Sequence, residues 1–272
     1  MSDQVNSTQS GERTEVRLTL NGQSVSINAR PLERLSTVLR DKIGLLGTKV
    51  GCDAGDCGAC TVTLDDQQVC ACMVPIAQVA GRSVDTIEGI GADPENAELM
   101  GAFQRHGAAQ CGICTPAMVI AASTLLREST TLDEAAVERG LSGVLCRCTG
   151  YRAIVAAVLD VANSRGKTGA TQGTQQLAVG ARVEAIDAEL KVSGTARFGA
   201  DQQPTDSLAM LVVRSPHPHA RFAFGSFDSF YAAHPGIRRV LTANDVPGLN
   251  GCLLYTSPSP RDATLSRMPS SA

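Results

Sequence analysis

The sequence predicts an α+β chain: a small sheet domain over residues 13–90, a domain of four short helices over 91–163, and the opening of an α/β domain over 179–251. Three observations carry this reading. Apolar and polar residues alternate on either side of a tight turn at Asn21-Gly22, the pattern of a hairpin. From Asp93 onward apolar residues recur at helical spacing behind helix-start signals. Between 164 and 178 the stretch SRGKTGATQGTQQLA loses all periodicity and reads as a linker.

Taken in order, residues 1–12 are polar and rich in Ser and Gln, so a disordered tail is expected. Val16-Arg-Leu18-Thr-Leu20 and Val25-Ser-Ile27 are the two hairpin strands. Leu35, Val38 and Leu39 fall at i, i+3, i+4 and predict a short helix. Thr61–Leu64 is a strand, Asp65-Asp66 a turn, and a return strand is expected to run to Cys72; a last strand is expected near Ser83–Ile87. In the helical part, Asp93-Pro94 supplies a cap and an N1 proline, and Leu99 and Phe103 form a stripe ending near Gly107. Thr115-Pro116 repeats the start signal, with Val119, Ala122 and Leu126 facing inward. Thr131-Leu-Asp-Glu134 is a capping box whose helix Gly140 can end. Ile154, Ala157, Val158 and Val161 mark a fourth helix, and helices this short pack as a compact bundle.

Bulk properties narrow the function. The 272 residues carry a net charge of −3, which gives no basic footprint for nucleic acid. Aromatic residues are 3% with no Trp, which argues against base-stacking platforms. Ten cysteines would suit a disulfide scaffold in a secreted protein, but the first thirty residues lack an apolar targeting segment. Thiolate ligands in a reducing cytoplasm are the better reading. No apolar run reaches the length of a membrane span; Ala117–Ala122 is the nearest, and Ser123-Thr124 ends it.

The chemistry lies in the cysteine spacing. Cys52, Cys57 and Cys60 stand at C-x4-C-x2-C with Gly51, Gly55 and Gly58 among them. That is the plant-type spacing for a 2Fe-2S cluster, which needs one more cysteine further on. Glycines let a loop turn tightly and bring backbone N–H groups to sulfur. A zinc knot is the alternative, but zinc sites favour paired C-x2-C units. The fourth ligand is Cys70 or Cys72; two apart on a strand, they would face the same way. A second set follows: Cys111 and Cys114, then Cys146 and Cys148. Both pairs precede predicted helices, whose N-termini favour an anionic cluster.

The stretches GTKVGCDAGDCGACTVTLDD, CMVP, QCGICTPAM and LCRCTGYRAI together resemble the iron–sulfur unit of the molybdenum hydroxylases, the xanthine dehydrogenase and aldehyde oxidoreductase family. The likeness covers roughly residues 13–163, with both cluster motifs in the family's order. It implies a β-grasp, plant-type ferredoxin domain followed by a four-helix 2Fe-2S-binding domain. It implies Cys52, Cys57, Cys60 and Cys72 as ligands of one cluster, because the family places its fourth cysteine three residues before a proline, here Pro75; Cys70 is then a bystander. Cys111, Cys114, Cys146 and Cys148 hold the other. It gives Gln110 a contact with the pterin of the molybdenum cofactor, and Arg147 and Arg152 read as solvated or helix-pairing charges. Electrons would run from molybdenum to the second cluster, then the first, then an acceptor. No FAD-binding stretch intervenes, so FAD would sit on a separate partner if used. The family oxidises aldehydes or N-heterocycles; no hydroxylation residue is expected in this chain. A free-standing two-cluster carrier and a zinc-stabilised binding module are the alternatives.

KVSGTARFGAD, LVVRSPHPHARF and PGIRRVLTANDVPG resemble the α/β hammerhead that opens the family's molybdenum-binding part, of which 179–251 would be a truncated piece. His217 and His219 there read as a turn rather than as ligands. The last stretch, 252–272, reads as translated sequencing-adapter DNA and is expected not to be native; Cys252 is then no ligand.

Overall fold

A computed structural model describes residues 12–129, 131–164, 183–202, 204, 206–217, 221–245 and 247. The expected N-terminal tail, apart from residue 12, the linker beyond Ser164, His219 and the adapter-like stretch with Cys252 lie outside them.

β1 (Thr14–Leu20) turns at Asn21-Gly22 into β2 (Gln23–Ala29). Their register sets Val16 against Ile27 and Leu18 against Val25. The alternation then buries Val16, Leu18 and Leu20 on one face and leaves the residues between them in water. α1 (Leu35–Thr37) runs on as a wider turn over Val38–Ile43. It presses Leu35, Val38 and Leu39, all fully buried, into the same core; each large side chain buried this way contributes about 1.5–3 kcal/mol. β3 (Thr61–Leu64), β4 (Gln67–Cys70) and β5 (Ser83–Asp85) complete a five-stranded sheet of order β2-β1-β5-β3-β4. β1 pairs with β5 in parallel, and the other neighbours are antiparallel.

Two strand expectations need correction. The return strand stops at Cys70, and Ala71–Met73 is a 3₁₀ turn with Cys72 inside it. Pro75, which has no N–H for a ladder, begins the next turn. The parity argument for Cys70 and Cys72 therefore does not apply. The last strand ends at Asp85, and Ile87 opens a helix, α2 (Ile87–Ala92), that its two glycines hid from a propensity reading.

In the helical part, Asp93 accepts from the Glu95 N–H at 3.0 Å, ahead of a 3₁₀ turn and α3 (Ala97–Arg105). α4 (Thr115–Glu128) is buried from Thr115 to Thr124, so it is the central helix of this core. α5 (Glu134–Leu141) is capped by Asp133, which accepts from Ala136 N–H at 2.7 Å, rather than by Thr131. Gly140 lies within α5, where a side chain would meet Leu125 at 2.7 Å; it permits close packing and does not end the helix. α6 (Arg152–Ser164) buries Ile154, Ala157, Val158 and Val161. Sheet and helices thus have separate apolar cores.

α7 (Ala188–Val192) and the residues after it lie against both parts. Val192 joins the helical core. The buried Lys49 donates to the carbonyls of Gly194 and Ala196 at 3.2 and 2.8 Å and lies 5.1 Å from the Phe198 ring centre. Arg40 pairs with Asp201. Residues expected to open the hammerhead therefore form a strap on the module before them.

The residues from 208 on form a second unit. Its described part has one helix, α8 (Phe227–Ala233), a 3₁₀ turn at Ala243–Asp245 and no strand. Leu211 and Val213 are exposed, and the hammerhead expectation has no strand among these described residues. His217 is exposed, its N–H bonded to Ser215 Oγ at 3.1 Å, as a turn requires.

Candidate metal centre

The first thiol site hangs between the α1 turn and β3. Cys52 is exposed on the loop, Cys57 half-buried, and Cys60 buried next to β3. Backbone N–H groups of Ala54 and Cys57 each point at Cys52 Sγ from 3.4 Å. They hold its pKa down to about 7 by stabilising the thiolate. Burial pushes Cys60 up to about 12, with the Cys72 N–H 3.5 Å from its sulfur offsetting part of that. Cys72 is buried beside Cys60, and Cys70, also beside Cys60, is half-buried with Sγ 3.8 Å from the Gly55 carbonyl. The fold thus gathers Cys52, Cys57, Cys60 and Cys72, and adds Cys70.

Two glycines are required here by space. A Cβ on Gly51 would stand 2.9 Å from Cys57 Sγ. A Cβ on Gly58, where φ is +68°, would stand 2.0 Å from the Gly143 carbonyl oxygen. The second clash shows how closely the two parts meet: Leu145, next to Cys146, donates its N–H to the Cys57 carbonyl at 2.9 Å.

The second thiol site lies at two helix starts. Cys114 is the residue before α4, and Cys146 and Cys148 precede α6. Cys148 is placed against Cys111, and Cys114 against Cys146, so the two motifs interleave. Burial drives Cys114 far up. Burial alone would raise Cys146 too, but the Thr149 hydroxyl at 3.2 Å and nearby N–H groups more than offset it. Hydrogen bonding to Cys111 raises Cys148. Gln110 is exposed beside Cys111.

The residues present fit iron–sulfur clusters. The donors are all thiols, N–H groups already aim at sulfur, and glycine gaps sit where a Cβ would intrude. Among the described residues, no three ligating side chains converge on a single-ion site.

Three supporting residues were missed by the sequence reading. Tyr151 sits at φ +66°, its hydroxyl accepting from Cys146 N–H at 3.0 Å and donating to Val144 O at 3.3 Å. Arg34 holds the first loop, donating to Asp53 O at 2.7 Å and pairing with its carboxylate. Lys49 anchors the strap. Only a buried lysine's need for partners could have signalled the last, and burial is not visible in sequence.

Comparison with known proteins agrees with this layout. A family model described as a 2Fe-2S iron-sulfur cluster binding domain matches residues 18–82, and one described as a 2Fe-2S binding domain matches 86–159. The xanthine dehydrogenase iron-sulfur-binding subunit of Escherichia coli is 39% identical over 153 residues, 55% of this chain and 94% of that subunit. The chain belongs to the iron–sulfur subunit family of the xanthine dehydrogenase and aldehyde oxidoreductase enzymes. Aldehyde oxidoreductase of Megalodesulfovibrio gigas is 37% identical over 248 residues, 86% of this chain. The chain spans only 27% of that relative's length. The crystal structure of aldehyde oxidoreductase from Desulfovibrio desulfuricans superposes with a TM-score of 0.65 at 36% identity, covering 71% of this chain and 23% of that one. Among the described residues no helix is long and apolar enough to cross a membrane.

Proposed function

We propose that this iron–sulfur module is the electron outlet of a molybdenum hydroxylase acting on an aldehyde or an N-heterocycle. The observation that carries the reading is the meeting of two four-cysteine sets within one module, bridged by the Leu145-to-Cys57 hydrogen bond. Cys52, Cys57, Cys60 and Cys72 would hold one 2Fe-2S cluster, in a sheet domain we read as a β-grasp. Cys111, Cys114, Cys146 and Cys148 would hold the other. When bound, such clusters would supply one-electron carriage between the molybdenum cofactor and an acceptor, and by the resemblance Cys111, Cys114, Cys146 and Cys148 would hold the cluster nearer molybdenum.

The chain's own residues prepare this. N–H groups on Cys52 and Cys60 and the Thr149 hydroxyl on Cys146 stabilise thiolate charge. The buried thiols Cys60 and Cys114 exclude water from one side of each site. Gln110 would contact the pterin. Residues 179–251, whose strap over 187–201 lies on the module, would be the truncated start of the α/β hammerhead that leads into the molybdenum-binding part. The acceptor would be an FAD-containing subunit or another carrier, and the cytoplasm the place of work.

Anaerobic reconstitution of the full chain tests the reading. Red-brown protein with about four iron and four sulfide per chain is expected. Colourless protein with about two zinc ions would contradict it.

A further inference from the structure

We infer that Cys70 is a reserve ligand of the first thiol site, able to replace Cys72; the inference rests on the cluster reading above. A 2Fe-2S cluster takes four thiolates, and five thiols surround this loop. Cys70 closes β4 opposite Thr61, the residue after Cys60. Its sulfur lies 3.8 Å from the Gly55 carbonyl, inside the Cys52–Cys57 loop, and its thiol is against that of Cys60. Cys72 reaches Cys60 by a different route, with its backbone N–H 3.5 Å from the Cys60 sulfur.

The two differ in how firmly they are held. Cys72 is buried within the 3₁₀ turn, fixed by the Ala71 N–H on the Cys60 carbonyl at 3.2 Å. Cys70 stands at the edge of that turn, half-buried, with a long contact to a carbonyl. Cys70 packs against the apolar core of the sheet and also reaches the ligand loop, through the Gly55 carbonyl and the Cys60 thiol. Gly55, in the left-handed region, lies against the exposed Met73 on the loop that Cys70 would approach.

The exchange moves no electrons. The Cys70 thiol gives its proton to solvent and its sulfur would bond the iron as the Cys72 sulfur–iron bond breaks, the displaced Cys72 thiolate taking up a proton from solvent.

The test uses the full chain, reconstituted anaerobically as wild type, Cys70→Ala, Cys72→Ala and the double variant. Iron content, the spin-resonance spectrum of the reduced protein and iodoacetamide labelling of Cys70 are read together. Wild type and Cys70→Ala are expected to hold about four iron with one shared spectrum. Cys72→Ala is expected to keep about four iron, with a shifted first-site signal and Cys70 protected from labelling, and the double variant to keep about two. Should Cys72→Ala not fold, Cys72→Ser, which retains the buried volume, is read by the same labelling. Cys72 variants that lose the first-site iron while Cys70 stays open to labelling overturn the proposal. So does a Cys70→Ala chain that loses the first-site iron, because Cys70 would then be the resident ligand. A wild-type chain that takes up no iron overturns the cluster reading itself, and this proposal with it.

Discussion

At the first thiol site a glycine-rich loop brings N–H groups to sulfur, and an exposed Cys52 is held down to about 7 while a buried Cys60 is pushed up to about 12. At the second site two helix starts present the thiols, and a tyrosine and a threonine brace Cys146 between them. Both pair a buried cysteine with one whose thiolate is stabilised. The loop site depends on residues that are absent, the missing Cβ atoms of Gly51 and Gly58. The helix site depends on residues that are present. The contrast teaches where each should fail: the first to added bulk, the second to lost hydrogen bonds.

The largest effect should come from separating the sites. Cys114→Ala should remove the second-site iron, about half the total, and leave the first-site spectrum; Cys60→Ala should do the reverse. Iron analysis checks both, and loss of all iron from either would show that the sites are not independent. Next, Gly58→Ala places a Cβ 2.0 Å from a backbone oxygen at a left-handed residue. A loss of about 3 kcal/mol is expected by denaturant unfolding, with the first-site spectrum disturbed more than the second.

Tyr151→Phe keeps the ring and removes the acceptor for Cys146 N–H. A loss of about 1 kcal/mol is expected, with a shift confined to the second-site signal. The smallest effect concerns the strap. Burial alone would raise the Asp201 carboxyl, but the Phe198 N–H and the Arg40 guanidinium hold it below the ordinary range. A depressed carboxylate stabilises above its unfolded pKa, near ~4, and loses that as pH falls through the folded value. Limited proteolysis after residue 183 should therefore accelerate below about pH 4, and Asp201→Asn should flatten that dependence.

How much of this was legible varies with the kind of signal. The hairpin and the Asp93-Pro94 start follow from local pattern, as does the spacing of the cysteines, with Cys72 over Cys70 implied only by the resemblance; α4 does begin at Thr115-Pro116, but Thr115 is its first residue behind Cys114 and caps nothing. The α2 helix was hidden because Gly89 and Gly91 lower propensity while tertiary burial of Ile87 and Ile90 sustains it. Cys72 was read as a strand residue because a 3₁₀ turn after a strand leaves no periodic trace. Tyr151, Arg34 and Lys49 act through partners distant in space or in unusual backbone, which spacing does not encode. The strap was assigned forward, to the domain it resembles, whereas Val192 and Lys49 bind it backward.

The most direct measurement is low-temperature spin resonance on the reduced, reconstituted full chain, repeated on Cys60→Ala and Cys114→Ala. Two distinct signals are expected, each abolished by one variant and retained in the other. A single signal lost in both variants, or none in iron-replete protein, would contradict the two-cluster reading.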